Sequence, residues 1–223
     1  MENVKILNQP VKGSAQFHNS YERDVSEIMA IADREHSVER QVAFVLCTIQ
    51  AGLSTVKGQM KDINVNGLRS KFLWGEKANG LAYVREHDAF LYGKVKYLQE
   101  KYGLDSVEGA VECIELFLKV PNLGMVKAAF VAQCLGFNVA CIDSHNLKRL
   151  GMKPTQVKLG AKLKPETRKK KIREYVELTQ EKGSAFWWNS WCDYVAGNRA
   201  NKALSNGDIV SRFHVECIEV LEV

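Results

Sequence analysis

Asp143 follows an apolar run, Val139 to Ile142, and precedes Ser144 and His145. A carboxylate at the end of such a run has two uses. It can cap a short helix, with Asp143 or Ser144 as the capping residue of a helix through Leu150. It can also face a developing positive charge and position a water molecule. The two uses are compatible. Upstream, Val120-Pro121-Asn122-Leu123-Gly124 sets an apolar residue, a proline, a turn-former, an apolar residue and a glycine in a row. A tight hairpin between helices points backbone N–H groups outward. Those groups and the second helix's N-terminus can hold a phosphate without a charged side chain. Gly124 is expected to let another backbone come close and to supply dihedrals that other residues avoid. Asn122 tolerates the left-handed region better than most residues. The hairpin alone fits equally well an ordinary helix–turn–helix corner in a core.

Together the two segments resemble the helix–hairpin–helix DNA glycosylase superfamily (HhH-GPD), in its endonuclease III-like form. The family hairpin runs Leu-Pro-Gly-Val-Gly, then three residues, then Ala, and its aspartate follows in a Val-Asp-Thr-His setting. Pro121, Leu123, Gly124 and Ala128 stand in matching places, and so do Ile142-Asp143-Ser144-His145. The resemblance covers about residues 38–150. It implies an all-α fold of two helical lobes with a cleft, Asp143 at the cleft as the catalytic residue and the hairpin at its rim. It implies that Asp143 stabilises the sugar cation formed as a base leaves DNA. It places Asn122, Leu123, Gly124, Val126, Lys127 and His145 along the DNA backbone, and it allows a monovalent cation at the hairpin. The family also carries a Gln at the end of a buried helix, near the flipped base or the gap it leaves. Gln50 matches that place; the other reading is a polar residue finishing a buried helix.

One departure bears on mechanism. Relatives that also cut the strand carry a nucleophilic lysine two residues after the second hairpin glycine. Here that position is Val126, which cannot form a Schiff base. Lys127 is adjacent, but one residue turns a helical side chain by about 100°. The resemblance therefore implies a monofunctional enzyme that leaves an abasic site. The carboxylate that adenine-removing relatives carry before the Gln is not evident in Val45-Leu46-Cys47-Thr48. No mark selects the base.

The elements that must position these residues read mostly as helices. Asn19 onward shows a helical stripe of Tyr21, Val25, Ile28, Met29 and Ala32. Ser37 is a candidate cap for a helix apolar nearly all round, with Val38, Val42, Phe44, Val45, Leu46 and Ile49, read as central and buried. Thr55 to Phe72 reads as two short helices with a turn at 64–67. A long helix is expected from Lys77 to Tyr102, with Leu81, Val84, Phe90, Val95 and Leu98 inward and weakened by Gly80 and Gly93. Ser106 caps the next helix, which feeds the hairpin. Met125 to Leu135 is a small-residue helix closed by Gly136.

After Leu150 the character changes. Pro165 opens a helix carrying Arg168, Lys169, Lys170, Lys171 and Arg173. Alone, such a run is a solvated face; in a DNA-binding fold Lys169, Lys170 and Lys171 contact phosphates. The aromatic stretch with Phe186, Trp187, Trp191 and Tyr194 is core by spacing, although Trp187 or Trp191 could stack a flipped base. The tail from Asp208 shows mixed period. These breaks suggest an N-terminal segment (1–36) packed on a C-terminal lobe, a helical domain (37–150) with hairpin and Asp143, and a basic, aromatic-rich region (151–223).

Composition sets the outer bounds. The chain has 223 residues, 46% hydrophobic and 26% charged, with a net charge of +5. That is an ordinary globular balance, suited to a polyanion partner. No run approaches a membrane span, and no signal peptide is read at the start. The six cysteines lie far apart in apolar surroundings, as buried thiols of a reducing, cytoplasmic compartment. They lack the close spacing of an iron–sulfur site, and no zinc spacing or phosphate loop occurs. No cofactor is expected. The reading is of a monomer acting on double-stranded DNA. Its substrate is a damaged base or a bulky modified one, such as the modified cytosines of phage DNA. The competing classes are a glycosylase with strand-cutting lyase activity and a non-catalytic helix–hairpin–helix DNA binder.

Overall fold

The computed structural model describes residues 36–149, 151–160, 162–188 and 220. The helix expected from Asn19, Trp191 and the tail lie outside these residues. Among them the chain is helical, without a strand. The α-helices include α1 (Ser37–Cys47), α2 (Leu53–Asn66), α3 (Glu76–Tyr102), α4 (Val107–Phe117), α5 (Met125–Cys134), α6 (Ser144–Arg149) and α7 (Pro165–Lys182). Short 3-10 turns span Gly67–Arg69 and Pro154–Val157. No helix among the described residues is long and apolar enough to cross a membrane.

The helix α1 is central, as its all-round apolar pattern requires. It packs on α2, α3 and α5, while α4 bridges α3, α5 and α7. Its cap differs from the expectation. Ser37 lies inside the helix and is buried; the N-cap is His36, in left-handed backbone at φ 56. The capping acceptor comes from α3, where Asp88 Oδ1 accepts from the Glu39 N–H at 3.0 Å. Such help answers the first-turn N–H groups that a helix cannot pair internally. Asp88 Oδ2 lies 3.1 Å from His36 Nδ1, and Arg85 Nε donates to Glu39 Oε1 at 2.6 Å. Four charged or titratable groups thus tie the start of α1 to α3.

The helix α3 buries a stripe at alternating steps of four and three: Lys77, Leu81, Val84, Asp88, Leu91, Val95 and Leu98. Phe90, expected inward, is instead 53% exposed. The buried row passes through Leu91, one residue and about 100° away. Gly80 has a packing reason. A Cβ there would stand 2.5 Å from the Pro121 carbonyl oxygen, so the glycine lets the hairpin seat against α3. Ser106 caps α4 as expected, its hydroxyl accepting from Gly109 N–H at 3.3 Å. The apolar core runs on across residue 150, taking in Ile172, Tyr175, Val176, Trp187 and Trp188.

Candidate active site

The hairpin is a tight turn. Leu123 N–H donates to the Val120 carbonyl at 3.2 Å, with Pro121 and Asn122 between. Asn122 has φ 69, so proline first and a left-handed residue second give the type II arrangement. Gly124 departs from expectation. It caps α5 in extended backbone, φ −83 and ψ 173, which any residue adopts. The unusual dihedral belongs to Asn122. A Cβ on Gly124 would meet nothing within 4 Å, so its surface is open. Leu123 is buried, leaving only its backbone to face a ligand.

The approach to Asp143 lies in no helix and no sheet, so side chains must serve its backbone polar groups. Tyr175 of α7 does much of this. Its hydroxyl donates to the Ala140 carbonyl at 2.7 Å and accepts from Ile142 N–H at 2.9 Å. Burial holds this phenol protonated, well above its usual range. Cys141 is gripped from both sides: its N–H donates to Gln133 Oε1 at 3.2 Å, and its carbonyl accepts from Asn146 Nδ2 at 3.0 Å. The segment therefore delivers Asp143 from a braced backbone. Asp143 Oδ1 accepts from the N–H groups of His145 and Asn146, both at 3.0 Å, which makes it the cap of α6.

A cavity of about 490 Å³ opens at this point. The end of α1 contributes Thr48, Gln50 and Ala51; the first turn of α5 contributes Val126 and Lys127; the third wall is Ile142, Asp143, Ser144, His145 and Leu147. Gln50, Val126, Lys127, Asp143 and His145 thus meet around one space. Gln50 has φ 54, a left-handed conformation unfavourable for a residue with a Cβ. Among the described residues three non-glycines have positive φ, and Gln50 and Asn122 are two of them. Backbone strain of this kind gathers at functional sites.

Lys127 reaches the cavity despite its offset from position 126. Its Nζ donates to Thr48 Oγ1 at 3.0 Å and lies 5.5 Å from the centroid of Phe130. Thr48 in turn donates to the Val45 carbonyl at 2.7 Å. A second lysine stands behind Gln50. Lys77 is 1% exposed, donates to the Ile49 carbonyl at 2.9 Å and lies 4.5 Å from the Trp74 centroid. Desolvation pushes its pKa below the usual 10.5; the nearby Cys47 opposes this and Lys127 adds to it. Burial pushes the Cys47 thiol up to about 12. The two ammonium groups make the end of α1 a cationic edge, placed where the helix dipole favours positive charge. Cys47, Cys113, Cys134 and Cys141 are free thiols. Among the described residues no cluster of His, Cys, Asp and Glu is placed to hold a metal.

Trp187 and the basic run of α7 lie away from this cavity. Trp187 is core: it is 2% exposed, and its indole N–H donates to the Thr179 carbonyl at 2.9 Å. It does not line the Asp143 cavity. Lys169 pairs with Glu112 of α4, Arg173 donates to Glu108 at 2.7 Å, and Lys170 lies 4.0 Å from Glu174. Lys169 and Arg173 thus dock on the acidic face of α4, while Lys170 pairs within α7 and, like Lys171, is exposed. Sequence reasoning missed Tyr175, Gln133, Asn146, Lys77 and Thr48. The only signal for the first three was an apolar run outside any helix, which needed hydrogen-bond partners. No protein-family model matches the chain, and the comparisons with curated proteins and solved structures also returned no match.

Proposed function

We propose that this protein is a monofunctional DNA glycosylase with the two-lobed HhH-GPD architecture. It flips a damaged or modified base from double-stranded DNA and hydrolyses its N-glycosidic bond. One observation carries the reading: Gln50, the first turn behind the hairpin and Asp143 come from three distant stretches of chain and line one cavity. In this reading the hairpin backbone and the start of α5 hold phosphate. Gln50 fills or borders the vacated stack. As the base leaves, Asp143 faces the sugar cation and positions the attacking water. The cationic edge of Lys77 and Lys127 favours the polyanion. Repair of damaged bases and removal of a bulky phage base are both served by this chemistry.

The test is a panel of duplexes carrying oxidised, alkylated, deaminated, mismatched and phage-modified bases, incubated with the protein and then heated in alkali. Alkali-dependent breaks at one class of base are expected. DNA binding without breaks on any substrate would leave the non-catalytic helix–hairpin–helix reading.

A second reading, a glycosylase that also cuts the strand, is favoured by the position of Lys127. Val126 and Lys127 both line the cavity, so the offset of one residue does not remove the amine. Borohydride separates the two readings. A trapped protein–DNA adduct that disappears in Lys127→Ala would establish the lyase; no adduct is expected for the hydrolytic enzyme.

A further inference from the structure

The helix α3 carries a second stripe, unrelated to its buried one. Phe90, Lys94, Tyr97 and Lys101 follow at steps of four, three and four residues and share one face. Phe90 is 53% and Tyr97 49% exposed. Lys94 Nζ lies 6.0 Å from the Phe90 centroid and 5.5 Å from that of Tyr97, while Lys101 lies 5.4 Å from Tyr97. The stripe floors a groove of about 500 Å³ whose other walls include Lys119, Glu112, Glu115 and Arg168. Both carboxylates already face cations of α7: Glu112 pairs with Lys169, and Glu115 lies 3.8 Å from Arg168. Lys94, Lys101 and Lys119 are therefore left to set the sign of the groove.

Exposed aromatic faces interleaved with lysines suit a ligand that is flat and apolar on one surface and anionic along one edge. An acidic peptide would answer the lysines but leave the ring faces without a stacking partner. A nucleic-acid strand answers both, because every base has a face to stack and every link a phosphate. We propose that this groove binds an unpaired stretch of nucleic acid, with bases stacked on Phe90 and Tyr97 and phosphates along Lys94, Lys101 and Lys119. The surface is separate from the Asp143 cavity. Lys77, bonded beside Gln50, lies twenty residues before Tyr97, about 30 Å along the helix axis. The proposal does not depend on base release.

The test is fluorescence anisotropy of the full chain with a labelled oligothymidylate, an oligouridylate and a duplex of equal length. Phe90→Ala with Tyr97→Ala should weaken single-strand binding by about tenfold or more, as loss of base stacking does, and change duplex binding far less. These side chains are half exposed, so the variant should fold; an unchanged circular dichroism spectrum checks this. Lys94→Gln with Lys101→Gln should flatten the salt dependence on the single strand by about one and a half units of slope. Comparing the thymidylate and uridylate distinguishes DNA from RNA as the source of the strand. Equal single-strand affinity in the wild type and the aromatic variant would overturn the proposal, as would equal losses on single strand and duplex. Binding of labelled polyglutamate, lost in Lys94→Gln with Lys101→Gln, together with no binding of either oligonucleotide, would assign the groove to an acidic protein segment and would also overturn it.

Discussion

The cavity at Asp143 and the groove along α3 are alike in size, about 490 and 500 Å³, and opposite in construction. The cavity is gathered from three stretches far apart in the chain. Its edge includes a left-handed Gln50, and its Asp143 wall hangs on a buried tyrosine, glutamine and asparagine. The floor of the groove is one face of one helix, and its walls are joined by ion pairs at the surface. Reacting groups must be held in place, so a reactive centre needs bracing from many directions. A surface that stacks and attracts needs only exposure and charge. Damage should therefore be steep and localised in the first region, shallow and additive in the second.

The largest expected effect is at Asp143. Asp143→Asn keeps the shape and removes the charge. If the protein is the glycosylase proposed above, this variant should lower base release by about two to four orders of magnitude and leave DNA binding within a few fold. Single-turnover kinetics beside a binding isotherm would show the split. Full activity in this variant would remove Asp143 from the chemistry and erase the contrast with the groove.

Next come the braces. Tyr175→Phe leaves the Ala140 carbonyl and the Ile142 N–H without their shared partner. It should cost about 1–3 kcal/mol in denaturant unfolding, the range for stranded buried polar groups. Gly80→Ala drives a methyl against the Pro121 carbonyl and should cost about 1–3 kcal/mol, as overpacking does. Both should reduce base release beyond what their stability loss explains, because each moves a wall of the site. Ordinary activity at full folding would mean that the site tolerates loose walls, as the groove does.

Lys77 offers a pH test. Its folded pKa is lowered by burial from the usual 10.5. Between the two values the unfolded chain holds more protons, so this residue makes stability rise with pH there; the contribution disappears as pH falls through the folded value. Buried thiols such as Cys47, raised to about 12, act in the opposite direction. The difference between wild type and Lys77→Met isolates the lysine. Wild type should gain on the variant as pH climbs toward 10.5, and parallel stability curves would contradict the desolvated lysine. The smallest effect is at Gln50. Gln50→Gly suits the left-handed backbone, so stability should change by no more than about 1 kcal/mol while base release falls. A melting curve and a rate on the same preparation would show it.

Much of the fold was legible because helices are local. The all-round apolar run from Val38 to Leu46 marked a central helix. Ser106 announced the start of α4, and Pro121 with Asn122 announced a turn. Where structure and local pattern part, the cause is the same. Apolar character alone predicts Phe90 inward, whereas the buried row runs through Leu91 and admits Lys77 and Asp88. A charged residue in a buried stripe is invisible without its partner, and the partners here are the Ile49 carbonyl and the Glu39 N–H. Lys169 reads from sequence as part of a solvated or phosphate-contacting run; its pairing with Glu112, 57 residues away in the chain, is equally invisible to local pattern.

The sequence by itself determined the helical class and most helix boundaries. It also singled out Asp143, Gln50 and the hairpin. Spacing along one chain carries period and punctuation, and those are properties of neighbours. Only the tertiary structure decided that these residues share a cavity, that Lys127 enters it beside Val126, and that Tyr175 braces the approach to Asp143. Those facts depend on which distant groups satisfy one another once water is excluded, and each such pairing joins positions whose separation no local pattern records.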